Sequence, residues 1–202
     1  MKFVFPAQYQ QHLNGLSKVG ILLTALVVSG CTSIISETTD KPIESDPGSR
    51  TFGAVIDDQS IETTATVNIR KTDPNLDLAH IVVTSYNGVV LLTGQVLNEE
   101  LRVRAAQTAA AVKNVRVVRN ELVVAENSSF AARSSDTLLT TKIKSKLLTA
   151  KNIKDSRVKV ITENGAVFLM GLVTHAEADI ASTVAQETDG VQKVVRLFEY
   201  VD

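Results

Sequence analysis

Side chains able to do covalent or acid–base chemistry are scarce in this chain. A single cysteine, Cys31, rules out an internal disulfide. His80 and His175 lie beyond the N-terminal segment, and neither has a cysteine or second histidine at metal-ligand spacing. The acids Asp57-Asp58, Glu99-Glu100 and Asp136 stand before stretches of helical periodicity, where a carboxylate complements the helix dipole. Cap or first-turn roles explain them without acid–base catalysis. There is no Gly-x-Gly-x-x-Gly, no phosphate loop and no nucleophile elbow. The expectation is a non-enzyme without cofactor or metal.

The concentrated chemistry is cationic. Between Leu138 and Lys159 stand Lys142, Lys144, Lys146, Lys151, Lys154, Arg157 and Lys159, against only Asp155. On a helix over 137–150, at ~100° per residue, Leu139, Ile143 and Leu147 form the stripe a core would bury. Leu138, Thr141, Lys142, Ser145, Leu148 and Thr149 share another side; Lys146 borders the core stripe and Lys144 points elsewhere. Leucines beside lysine on a face the core does not need describe an interfacial helix. They equally describe a solvated Lys-rich face partly covered by a neighbouring domain, and the helix alone leaves both open.

Elements that would position this helix begin with a leader. Lys2 and Lys18 lie in an acid-free segment, and Val19–Val28 is a short apolar run. About ten helical residues cover ~15 Å, half a hydrocarbon core, which suits a signal peptide rather than a transmembrane span. Val28-Ser29-Gly30-Cys31 resembles the bacterial lipobox, whose cysteine carries a diacylglycerol after cleavage. Thr32, in place of an aspartate, resembles the sorting signal for the outer membrane. Residues 1–30 are thus expected to be a leader, and 31–56 a lipidated cysteine with a polar, turn-rich tether. Losing the leader removes two of 21 basic residues and none of the 22 acids, so no global basic field attracts nucleic acid. With no Trp and 4% aromatics, base-stacking platforms are also missing.

The remainder repeats itself. Ile81-Val-Val-Thr-Ser-Tyr-Asn-Gly-Val-Val-Leu-Leu-Thr-Gly-Gln-Val96 is echoed by Val158-Lys-Val-Ile-Thr-Glu-Asn-Gly-Ala-Val-Phe-Leu-Met-Gly-Leu-Val173, and Asn114-Val115-x-x-Val118 by Gly190-Val191-x-x-Val194. Asn-Gly between β-branched runs predicts a hairpin, because a type I′ turn needs positive φ at both central residues. Leu101, Ala105, Ala109 and Val112 form a helical stripe; Thr174-His-Ala-Glu177 is a capping-box pattern ahead of Ile180, Ala181 and Val184. Closing strands are expected over Val115–Val124 and Val191–Val201. The fold class is α+β: two α-β-β-α-β units, each a three-stranded mixed sheet with two helices on one face.

This element order, the Asn-Gly hairpin, the glycine before the valine strand end and the Gly/Asn-Val-x-x-Val entry to the last strand resemble the BON domain. The resemblance covers 57–124 and 135–202, with 125–134 as linker. Lipobox plus two units resembles the dual-BON outer-membrane lipoproteins associated with division and outer-membrane stress. That resemblance implies binding of phospholipid by the first helix of the second unit. Carried over residue by residue, the candidates are Leu138, Thr141, Lys142, Ser145, Lys146, Leu148 and Thr149, with Gly165 at the hairpin turn. One departure is that the related lipoprotein has a bulky aromatic where this chain has Leu138.

The leading expectation is therefore a non-catalytic protein of the outer membrane's periplasmic face, anchored through Cys31. It would bind anionic phospholipid (phosphatidylglycerol or cardiolipin) and support envelope integrity, with the resemblance implying enrichment at the division septum. The alternative is a periplasmic interaction module docking division proteins or the outer-membrane β-barrel assembly machinery. A peptidoglycan binder is a weaker third reading, since few aromatics are available for sugar stacking.

Overall fold

The computed structural model describes residues 46–202. The leader, Cys31 and the tether up to Ser45 lie outside the described residues. From Asp46 onward the chain is one compact unit containing both repeats.

The first repeat runs α1 (Phe52–Thr72), a short α2 (Pro74–Leu78), β1 (Ile81–Tyr86), β2 (Val89–Val96), α3 (Glu99–Ala110), β3 (Val117–Asn120) and β4 (Val123–Val124). The second runs α4 (Phe130–Thr149), a 3-10 turn (Asp155–Arg157), β5 (Val158–Glu163), β6 (Ala166–Val173), α5 (His175–Gln186) and β7 (Lys193–Tyr200). Each hairpin is antiparallel and each closing strand joins the middle strand in parallel, in the orders β1-β2-β3 and β5-β6-β7. The closing strand of the first repeat breaks after Asn120, whose side chain takes the Leu122 N–H and bonds the Arg102 carbonyl. Leu122 then turns into the core, and β4 resumes pairing with β2.

Local signals account for most elements. Asn87 and Gly88, like Asn164 and Gly165, all have positive φ, as a type I′ turn requires. Thr174 and Glu177 make the full capping box. Glu99 and Glu100 occupy the first turn of α3. Asp57, Asp58 and Asp136 do not precede helices. Thr51 and Ser129 cap α1 and α4, so these acids fall well inside them. The helix expected over 137–150 accordingly begins at Phe130, and 130–134 are helix rather than linker.

Asp58 and Asp136 are buried, and each reaches across to its own hairpin. Asp58 accepts the Asn87 and Gly88 N–H groups at 2.8 and 2.9 Å. Asp136 accepts those of Asn164 and Gly165 at 2.8 and 2.9 Å. A helix carboxylate thus satisfies the two donors that an αL-αL turn points inward.

In each repeat the helices bury one face of the sheet: Ile61, Ala65, Ile69, Leu101 and Ala105 against β2, and Leu139, Ile143, Leu147, Ala178 and Ala181 against β6. The opposite sheet faces pack on each other. Tyr86, Val89 and Leu91 meet Phe168 and Met170, which is why β2 is buried along its whole length. Polar contacts rim this seam: Arg116 to Glu199 at 2.8 Å, Lys159 to Glu62 at 2.7 Å, and Gln95 to Glu163 at 2.8 Å. Burial pushes the Glu199 carboxyl up, but Arg116 and Asn87 outweigh it and hold its pKa below the ordinary value.

Candidate functional site

α4 divides as its periodicity requires. Leu139, Ile143 and Leu147 are buried, while Leu138 and Leu148 are 65% and 69% exposed. Thr141, Lys142, Ser145, Lys146 and Thr149 are exposed beside them. The threonine hydroxyls donate back into the helix: Thr141 to the Thr137 carbonyl at 2.9 Å, Thr149 to that of Lys146 at 3.0 Å. Their donors are thereby satisfied without water, which lowers the cost of moving this face into an apolar layer.

Tertiary pairing thins the basic stretch. Lys154 bonds Asp46 at 2.8 Å, Lys159 bonds Glu62, and Arg157 bonds both Glu177 at 2.9 Å and Asp46. Arg157 and then Lys154 hold the Asp46 carboxyl well below the ordinary carboxylate range. Lys146 donates to the Glu187 carbonyl at 3.2 Å, where α5 ends and a cation complements the dipole. Among the described residues, Lys142, Lys144 and Lys151 form no ion pair. Lys144 lines a separate groove with Arg50 and Tyr86, away from Lys142.

Lys142 and Leu138 instead border a cleft of about 410 Å³ with Asn164, Gly165, Gly190 and Gln192. Gly165 itself is buried, and its N–H is held by Asp136. It forms the cleft wall rather than an exposed tip. The structure brings Leu138, Lys142 and Gly165 together there, and leaves Ser145, Leu148 and Thr149 farther along the helix. Asp136, which the sequence suggested only as a helix-dipole acid, and Gln192, which no motif marks, belong to the same wall; the match of Asp136 to Asp58 was the available signal.

The equivalent cleft of the first repeat is smaller, about 150 Å³, and is lined by Asp57, Asp58, Asn114 and Arg116. Arg116 is committed to Glu199, and Thr64 stands where the second repeat has Lys142. The helix is not wholly polar, however: Phe52, Val55, Ile56 and Val67 of α1 are exposed. Among the described residues no cluster of three or more His, Cys, Asp or Glu could hold a metal ion. No described helix is long and apolar enough to cross a membrane.

A family model, the BON domain, matches residues 57–126 and 135–202. The chain is 38% identical over 193 residues to outer membrane lipoprotein DolP of Haemophilus influenzae, covering 94% of this chain and 99% of that protein. It is 40% identical over 152 residues to a 21 kDa hemolysin of Actinobacillus pleuropneumoniae, covering 75% of this chain and 78% of the other. Osmotically-inducible protein Y of Escherichia coli K12 is 31% identical over 186 residues, covering 87% of this chain and 90% of that protein. Two matched segments, coinciding with the two sheet-and-helix repeats, leave one conclusion: the chain belongs to the BON domain family and carries its domain twice in tandem.

Proposed function

We propose that this protein is a non-catalytic envelope lipoprotein, anchored through Cys31 at the periplasmic face of the outer membrane, that binds anionic phospholipid with the outer face of α4. Its similarity to a lipoprotein of the outer membrane supports the location. One observation carries the binding reading. Leu138 and Leu148 are exposed beside Lys142 on a helix whose core stripe is already filled by Leu139, Ile143 and Leu147. Burying such a leucine in acyl chains contributes about 1.5–3 kcal/mol, and each lysine near an anionic surface about 1 kcal/mol. Both are modest, and a tether supplies the effective concentration that makes a weak site sufficient. Thr141, Ser145, Lys146 and Thr149 complete the face, and the cleft beside Gly165 offers room for a headgroup. Supporting envelope integrity, with enrichment at the division septum, is the cellular role this chemistry would serve.

Co-sedimentation of residues 32–202 with phosphatidylcholine vesicles, with and without phosphatidylglycerol, tests the reading. Binding is expected only with the anionic lipid. Lys142→Glu and Leu148→Glu should each weaken it about tenfold. Equal binding to neutral vesicles, or undiminished binding by both variants, would sink it. A crosslink from the α4 face to one periplasmic protein, persisting without anionic lipid, would favour the docking alternative.

A further inference from the structure

The outer face of α4 does not begin at Leu138. The helix starts at Phe130, capped by Ser129, whose hydroxyl takes the Ala132 N–H at 3.2 Å. Arg133 fastens the same end by donating to the Ser128 carbonyl at 2.6 Å. Phe130 is therefore carried on an ordered first turn, and it is 79% exposed.

Its position on the helix is informative. Eighteen residues make five turns, so Phe130 and Leu148 project in the same direction, about 27 Å apart along the axis. Leu138 lies between them on the same side, as do Thr141 and Ser145. An exposed phenylalanine buries more apolar area than either leucine, and none of the candidate lipid-binding residues includes it.

We propose that Phe130 is the aromatic insertion point of this surface, extending the lipid contact by two turns so that α4 lies parallel to the membrane plane along its full length. The inference rests on the lipid-binding reading above. Charge supports a bilayer as the occupant. The only acid in α4 is Asp136, which is buried and engaged by its hairpin, so no carboxylate of this helix meets lipid phosphate. A second copy docked on the same face would set Lys142 and its neighbours against their own equivalents. Phe52 occupies the matching place in α1 and is 80% exposed. Its helix ends in Arg70 and Lys71 but also carries the exposed Asp57 and the half-buried Glu62, so the charge argument, which needs a face free of acids, does not extend to it.

The chain contains no tryptophan, so Phe130→Trp and Leu138→Trp in residues 32–202 each report one site by fluorescence. With mixed phosphatidylcholine–phosphatidylglycerol vesicles, both emissions should shift to the blue and be quenched by brominated acyl chains. Phe130→Ser should weaken vesicle binding about tenfold while leaving thermal unfolding unchanged. If Leu138→Trp responds and Phe130→Trp keeps its water-exposed emission, this inference is overturned and the lipid-binding reading stands. If neither responds, both fall. A blue shift of Phe130→Trp that rises with protein concentration without vesicles would assign the residue to self-association and overturn the proposal.

Discussion

Replacing Asp58 with alanine should destabilise the first repeat by about 3–5 kcal/mol, read as a lower urea midpoint. The carboxylate is 3% exposed and serves four donors. The Ser85 hydroxyl donates at 2.7 Å, the Asn87 and Gly88 N–H groups at 2.8 and 2.9 Å, and Arg50 at 2.7 Å. Alanine would leave the buried Gly88 N–H without a partner, and Arg50 without its counter-charge above the Tyr86 ring. Asp136→Ala should cost less, because Asp136 holds only the two turn amides. Equal losses at the two positions would show that the hydroxyl and guanidinium contribute little.

The Asp58 contribution should also depend on pH. Burial pushes its carboxyl up, but the Gly88 N–H, the Ser85 hydroxyl, the Asn87 N–H and Arg50 together prevail and hold its pKa below the ordinary aspartate value. A folded-state value below the unfolded one means the stabilisation is complete above the unfolded value. It is lost as the pH falls through the folded value. The gap in unfolding temperature between native protein and Asp58→Ala should therefore be constant near neutrality and narrow on acidification. A gap unchanged into strong acid would contradict the linkage.

Gly94→Ala should be comparably damaging, costing about 3 kcal/mol or more. Gly94 has φ +117, and a Cβ there would sit 1.9 Å from the His80 carbonyl oxygen. That oxygen accepts the Gln95 N–H at 2.8 Å, so it cannot withdraw without breaking the first rung of the hairpin. Gly171 repeats the arrangement, with its added Cβ 2.2 Å from the Arg157 carbonyl oxygen. Its φ lies outside the positive range, so Gly171→Ala meets the collision without the strain and should cost less. Thermal unfolding of the two variants measures the difference, and an equal effect would mean the collision alone decides it.

These two sites mark where reading from sequence stops. Gly94 and Gly171 are recognisable as repeated glycines, but the atoms that forbid a side chain belong to the residue just before the neighbouring strand, His80 or Arg157. Asp58 and Asp136 are likewise visible as acids near helix starts, and the dipole argument assigned them there. Their true partners are turn amides on a hairpin that only folding brings close. Thr51 and Ser129 would have corrected the helix starts, since each is a favoured cap ahead of an apolar residue. The sheet-to-sheet seam had a signal too. Val89-Val90-Leu91-Leu92 and Phe168-Leu169-Met170 are continuous apolar runs, as expected of strands covered on both faces.

What the sequence determined by itself is whatever depends on one segment's geometry. Asn-Gly demands its turn, Thr174 and Glu177 close their capping box, and 3.6-residue periodicity separates Leu139, Ile143 and Leu147 from Leu138 and Leu148. The two-domain architecture followed because the pattern occurs twice. Tertiary structure alone decided which charges remain available. Lys154, Arg157 and Lys159 look identical to Lys142 in a composition count, yet Asp46, Glu62 and Glu177 neutralise them from distant parts of the chain. A side chain's rotation about its own helix is local and periodic, whereas an ion pair depends on two elements meeting, and no single segment encodes that.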